Sequence, residues 1–83
     1  MTRQELVKRI EDVVASEIGA AEVRMDDGGT AADIGRWDSM AHVRIMLGIE
    51  EAFGISMDIS TTYEFANFGA LFDYVADRAA RGK

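Results

Sequence analysis

The 83-residue chain contains no cysteine and no proline. Without cysteine, neither a disulfide nor a thiolate metal site can staple the fold, and a thiol nucleophile is excluded. No apolar run approaches the roughly 20 residues that cross a bilayer as a helix. Met1 to Arg9 already mix charged and apolar side chains, so the sequence predicts neither secretion nor membrane insertion, and the expected location is cytoplasmic. No segment alternates strictly between apolar and polar residues, which argues against β-strands. Basic residues are also scarce: nine Lys plus Arg stand against 15 acids, a formal charge of -6. A field of that sign repels phosphate backbones and anionic headgroups, so neither nucleic acid nor a membrane is an expected partner. A protein with a basic docking patch would instead be steered toward it.

What is present is globular composition, 48% hydrophobic and 29% charged, too apolar for a disordered chain. The length predicts a single domain over residues 1–83. A domain of that size buries only roughly 60% of the surface its unfolded chain exposes, so the margin of stability is thin.

Thr2-Arg3-Gln4-Glu5 fits a capping box, in which hydroxyl and carboxylate satisfy free amides at a helix start. Leu6, Ile10, Val13, Val14 and Ile18 then recur at helical spacing until Gly19, a residue suited to ending a helix. From Gly19 to Trp37 the periodicity fades, and Asp26-Asp27-Gly28-Gly29 is a turn signal. So long a loop requires anchors, for which Val23, Met25, Ile34 and Trp37 are the candidates.

A second helix is predicted to begin at Asp38 or Ser39, both good N-caps, and to run to about Phe53 before Gly54. It carries two apolar stripes: His42, Ile45, Met46, Ile49 and Phe53 on one face, and Met40, Val43 and Leu47 on another. One stripe can enter the core; the other is left for a neighbour or a partner. Ser60 or Thr61 can cap a short third helix reaching Phe65, with Glu64 completing a second capping box after Thr61. Asn67 caps the last helix, whose buried stripe is Phe68, Leu71, Phe72, Val75 and Ala79. Arg78 and Arg81 lie near its C-terminal end, where the helix dipole favours cations. The predicted fold is all-α: a small four-helix bundle, three main helices and one short, with a long loop between the first two.

Three blocks in order carry a family resemblance: Ile34-Gly35 followed by Trp37-Asp38-Ser39-Met40, then Ile49-Glu50-Glu51-Ala52-Phe53-Gly54-Ile55, and finally Asn67-Phe68-Gly69-Ala70-Leu71-Phe72-Asp73-Tyr74-Val75 after Phe65. The chain resembles the acyl carrier proteins. The resemblance implies a carrier, not an enzyme, that holds acyl or aminoacyl groups as thioesters on a phosphopantetheine arm. It implies that Ser39 is the attachment point, modified by a phosphopantetheinyl transferase using coenzyme A, and that Asp38 and Met40 help that enzyme recognise the site. It further implies that Val43 and Leu47, with Glu50 and Glu51, form the surface read by acyl- or aminoacyl-activating and transferring enzymes, and it favours a monomer. Physics agrees, because a phosphodiester at a helix start meets free amides and the positive end of the dipole. Read alone, Asp38-Ser39 is an ordinary N-cap, the commonest role for such residues; the other two blocks reverse that assignment.

Where carriers of bacterial fatty acid synthesis usually place acids shortly after the serine, this chain has Ala41, His42 and Arg44. One exposed Arg44 opposes a basic docking patch by on the order of 1 kcal/mol. That points to a dedicated polyketide, non-ribosomal peptide or specialised acyl pathway more than to housekeeping fatty acid synthesis. The loop after the second helix also lacks the proline often found there in the family, which predicts a less rigid connection. Met46, Met57, Phe65 and Phe72 are candidates to line an opening for an acyl chain, since methionine packs around irregular shapes; ordinary core packing is the competing assignment. An unmodified helical interaction module with the carrier fold is the alternative function. Ser39 and His42 are spaced for contact, but a hydrolase needs an orienting partner, an oxyanion hole and a cleft that a bundle this small does not supply. Asp26, Asp27 and Asp33 lack the ligand spacing of an EF-hand, so no metal is predicted.

Overall fold

The computed structural model describes residues 1–81; Gly82 and Lys83, the last positions of the expected domain, lie outside the described residues. Four helices follow in order, α1 (Arg3–Ile18), α2 (Ser39–Phe53), α3 (Ile59–Thr62) and α4 (Phe68–Arg81), with a 3-10 turn at Ala31–Asp33 and no strand among the described residues.

Local chemistry places the ends of the long helices. Thr2 Oγ1 accepts from the Glu5 N–H (3.1 Å) and the Glu5 carboxylate accepts from the Thr2 N–H (2.8 Å), forming the predicted capping box. Gly19 and Gly54 close α1 and α2 in the left-handed region, at φ 71° and 66°, where an L side chain is disfavoured. Asn67 Oδ1 accepts from the Ala70 N–H (3.0 Å) ahead of α4.

The core collects one stripe from each long helix. Ile10 and Val14 of α1, Ile45, Met46 and Ile49 of α2, and Phe72 and Val75 of α4 are all but inaccessible to solvent. Full burial of each such side chain is worth roughly 1.5–3 kcal/mol. At Gly48 an added Cβ would stand 2.8 Å from Val13 Cγ1, so this glycine sets how closely α1 and α2 approach.

The long loop is tied down throughout. Val23 and Met25 are buried, and Ile34 and Trp37 pack partly buried against the core, so all four predicted anchors serve as anchors. The carbonyls of Gly29 and Asp27 accept from the N–H groups of Phe68 and Gly69 (2.8 and 2.9 Å). The loop thereby satisfies amides that the first turn of α4 cannot satisfy internally. Arg36 adopts a left-handed backbone (φ 73°), and its Nη1 donates to the carbonyls of Ile18 (2.8 Å) and Gly19 (3.1 Å), capping α1 from a distance.

The third helix departs from expectation. It starts after Asp58, not at Ser60 or Thr61, and stops at Thr62, so Phe65 stands beyond it. The Thr61–Glu64 capping box does not form; the Glu64 N–H donates to the Thr61 carbonyl instead (3.0 Å). One tertiary and one local bond hold the start: the Asp58 N–H donates to the Tyr74 hydroxyl of α4 (3.0 Å), and Asp58 Oδ1 accepts from Ser60 Oγ (2.7 Å). The latter bond holds the Asp58 carboxyl below its ordinary titration range.

Candidate functional site

At the head of α2, capping falls to Asp38, whose Oδ1 accepts from the Ala41 N–H (2.8 Å). Ser39, the first helical residue, is exposed, and its hydroxyl has no hydrogen-bond partner among the described residues. The N–H groups of the first helical turn point the same way and carry the positive end of the helix dipole. An exposed hydroxyl without a structural task, in a field that favours an anion, suits esterification by a phosphate.

Beside Ser39 opens a cavity of about 410 Å³, walled by Trp37, His42, Met46, Tyr63, Phe65 and Phe68 among others. Of the four residues predicted to line such an opening, Met46 and Phe65 do so. Phe72 and Met57 do not: both pack into the core away from the cavity wall. Phe72 points inward on the α4 stripe, where the Arg3 guanidinium covers its ring at 5.5 Å. Trp37, Phe68 and Leu71 take their place in the wall. Trp37 stacks on Phe68 with ring centroids 5.4 Å apart, a pairing that loop position alone does not disclose.

A directed chain of hydrogen bonds crosses the cavity wall. Trp37 Nε1 can only donate, and it does so to His42 Nδ1 (3.1 Å). The proton of a neutral imidazole then resides on Nε2, which donates to Thr62 Oγ1 (2.7 Å), and that hydroxyl donates to the Ile59 carbonyl (2.6 Å). Burial lowers the His42 pKa, which favours this neutral form. Both ring nitrogens are thus engaged, and no hydrogen bond joins His42 to Ser39; the arrangement is not a nucleophile with its base.

The outward face of α2 exposes Met40 (74%), Leu47 (50%) and Val43 (39%), an unusual concentration of apolar surface on so acidic a chain. Glu51 is exposed on the same helix. Glu50 is only half-exposed, and its carboxylate accepts from the Met57 N–H (2.6 Å), clasping the loop that follows α2. Arg44 extends toward Glu17 of α1, with Nε 3.8 Å from Oε1.

Fold and sequence together place the chain in the acyl carrier protein family: the family described as "Phosphopantetheine attachment site" matches residues 8–75. Among individual proteins, it is 35% identical over 65 residues to acyl carrier protein 2, chloroplastic, of Hordeum vulgare, covering 77% of this chain and 50% of that one. The match therefore spans half the length of the barley protein. It is 25% identical over 81 residues to the acyl carrier protein of Guillardia theta, covering 96% of this chain and 99% of the other. The solution structure of holo acyl carrier protein from Geobacter metallireducens superposes with a TM-score of 0.80 over 92% of this chain and 87% of that one, at 21% identity, which shows the shared fold.

The family's cofactor, a covalently bound phosphopantetheine, is this chain's prosthetic group, and a member of the family is a carrier, not a catalyst. When bound, the group supplies a thiol that holds cargo as a thioester. No helix among the described residues is long and apolar enough to cross a membrane.

Proposed function

We propose that the protein carries acyl or aminoacyl intermediates on a phosphopantetheine arm esterified to Ser39, and that the whole chain acts as one monomeric carrier unit in the cytoplasm. The observation that carries this reading is the free Ser39 hydroxyl at the first turn of α2, relieved of capping by Asp38. Asp38 keeps that turn wound and adds a charge beside the modified residue. Met40, exposed next to Ser39, offers an apolar contact to the transferase, and Val43, Leu47 and Glu51 continue the same docking face toward acyl- or aminoacyl-handling enzymes. Glu50 contributes at its margin while holding the Met57 N–H. Met46 and Phe65 are the wall positions past which an acyl chain would enter the cavity.

Two features favour a dedicated polyketide, peptide or specialised acyl pathway over housekeeping fatty acid synthesis. The stretch after Ser39 carries Ala41, His42 and Arg44 where fatty acid carriers usually place acids, with Ala41 buried, and Arg44 stays half-exposed (side chain 51%) despite Glu17.

The decisive experiment is intact mass spectrometry after incubation with coenzyme A and a phosphopantetheinyl transferase. One arm is expected on the wild type and none on Ser39→Ala, whose stability should stay within about 0.5 kcal/mol because its hydroxyl bonds to nothing. A wild type that keeps its bare polypeptide mass with several competent transferases overturns the assignment. Partner binding that survives Ser39→Ala but fails on Val43→Asp would then identify an unmodified interaction module.

A further inference from the structure

The hydrogen-bond chain through His42 does more than hold the wall together. It links three parts of the molecule that no backbone hydrogen bond joins to one another: the loop residue Trp37, two positions before Ser39; the helix α2 that Ser39 begins; and α3, through Thr62. Its direction is set at one end by an indole that can only donate and at the other by a carbonyl that can only accept. Between those ends a neutral imidazole fits, with Nδ1 accepting and Nε2 donating. An imidazolium does not fit, because both its nitrogens donate.

We propose that His42 is a proton-operated latch on the Ser39 segment: neutral, it ties Trp37 to α3; protonated, it loses the Trp37 bond and loosens the cavity mouth. That the latch bears on cargo rests on the Ser39 reading above, whereas the latch itself does not.

No carboxylate is hydrogen-bonded to the imidazole to offset protonation; its ring partners are Trp37 and Thr62. Of the other residues around the cavity, only Asp38 and Tyr63 carry ionisable side chains, and Asp38 is the one carboxylate. Asp38 Oδ1 is engaged by the Ala41 N–H, and the Tyr63 ring lies against the imidazole with centroids 4.1 Å apart. Phe68 and Leu71, the α4 residues facing the cavity, are uncharged, and no ion pair among the described residues includes His42. Burial depresses the His42 pKa below 6.5. The unfolded chain therefore binds this proton more readily than the folded one. The folded state retains its full stability above about pH 6.5 and loses part of it as pH falls through that value toward the folded pKa.

The chain has one histidine and one tryptophan, so both ends of the broken bond report without ambiguity. Proton NMR of the unmodified wild type should show the imidazole titrating below pH 6.5, with the Trp37 indole N–H resonance shifting with the same midpoint. In His42→Gln an amide keeps one acceptor and one donor but cannot titrate, so the indole resonance should hold its position between pH 7.5 and pH 5. An imidazole that titrates at or above pH 6.5 would overturn the latch. So would an indole that ignores the imidazole, or a pH response that persists in His42→Gln. None of these readouts depends on arm attachment, so failure of the Ser39 assignment shows separately, in the mass spectrum.

Discussion

The two ends of α2 are held in different ways. Toward its middle and C-terminal half, Ile45, Met46 and Ile49 are locked among apolar side chains of α1 and α4, and Gly48 lets α1 approach closely. At its N-terminal end Ala41 is buried too, but the neighbouring loop and α3 are joined to it largely by polar bonds of Asp38, His42 and Tyr63, around a cavity of about 410 Å³. Dispersed apolar packing is insensitive to any one solution variable, whereas a hydrogen-bond chain depends on every link having the right protonation and direction. The difference amounts to a division of labour: one half of the bundle supplies stability, and the other, around Ser39, depends on the state of individual polar groups.

Substitutions can break that contrast or sharpen it. Phe72→Ala, in the apolar half, should cost about 3–5 kcal/mol, enough to remove much of the stability of a domain this small; urea denaturation followed by circular dichroism would measure it. Thr62→Val, in the polar half, keeps the shape but strands the His42 Nε2–H. The expected loss is about 1–3 kcal/mol, with the Trp37 fluorescence changed, and a loss equal to that of Phe72→Ala would erase the distinction. Leu47→Asp, on the exposed face, should leave stability within about 0.5 kcal/mol while weakening binding to a cognate enzyme in a titration assay. A large loss of stability there would mean that the face is structural.

The parts legible in the sequence are those set by local chemistry. The Thr2–Glu5 box, the glycine stops at Gly19 and Gly54, and the Asn67 cap each depend on residues within a turn or two, and the apolar stripes follow from helical periodicity alone. The loop anchors Val23 and Met25 were legible because apolar residues in an otherwise polar loop have few other places to go. The third helix was not. Asp58, Ser60 and Thr61 are all competent caps, and the choice falls to the Tyr74 hydroxyl, 16 residues downstream, which takes the Asp58 N–H. At the site, the Asp38 cap, the helix-start position of Ser39 and the second apolar stripe could be read in advance. The partners of His42 could not, since Thr62 lies 20 residues away in sequence. Phe72 was misplaced because periodicity identifies an inward face without telling core from cavity wall, and Met57, in the loop after α2, because a methionine's adaptable packing does not say which apolar surface it meets. The bond from the Thr30 N–H to the Asp33 carboxylate at the 3-10 turn (2.9 Å) was missed too, although its Thr-x-x-Asp spacing is visible.

The clasp between Glu50 and the Met57 amide has a consequence for the proline-free connection after α2. A pyrrolidine ring stiffens a chain permanently, by covalent means; a carboxylate gripping one N–H stiffens it only while the grip lasts. The connection between the second and third helices is therefore fastened by a bond that can break and re-form, where a proline would have stiffened it for good.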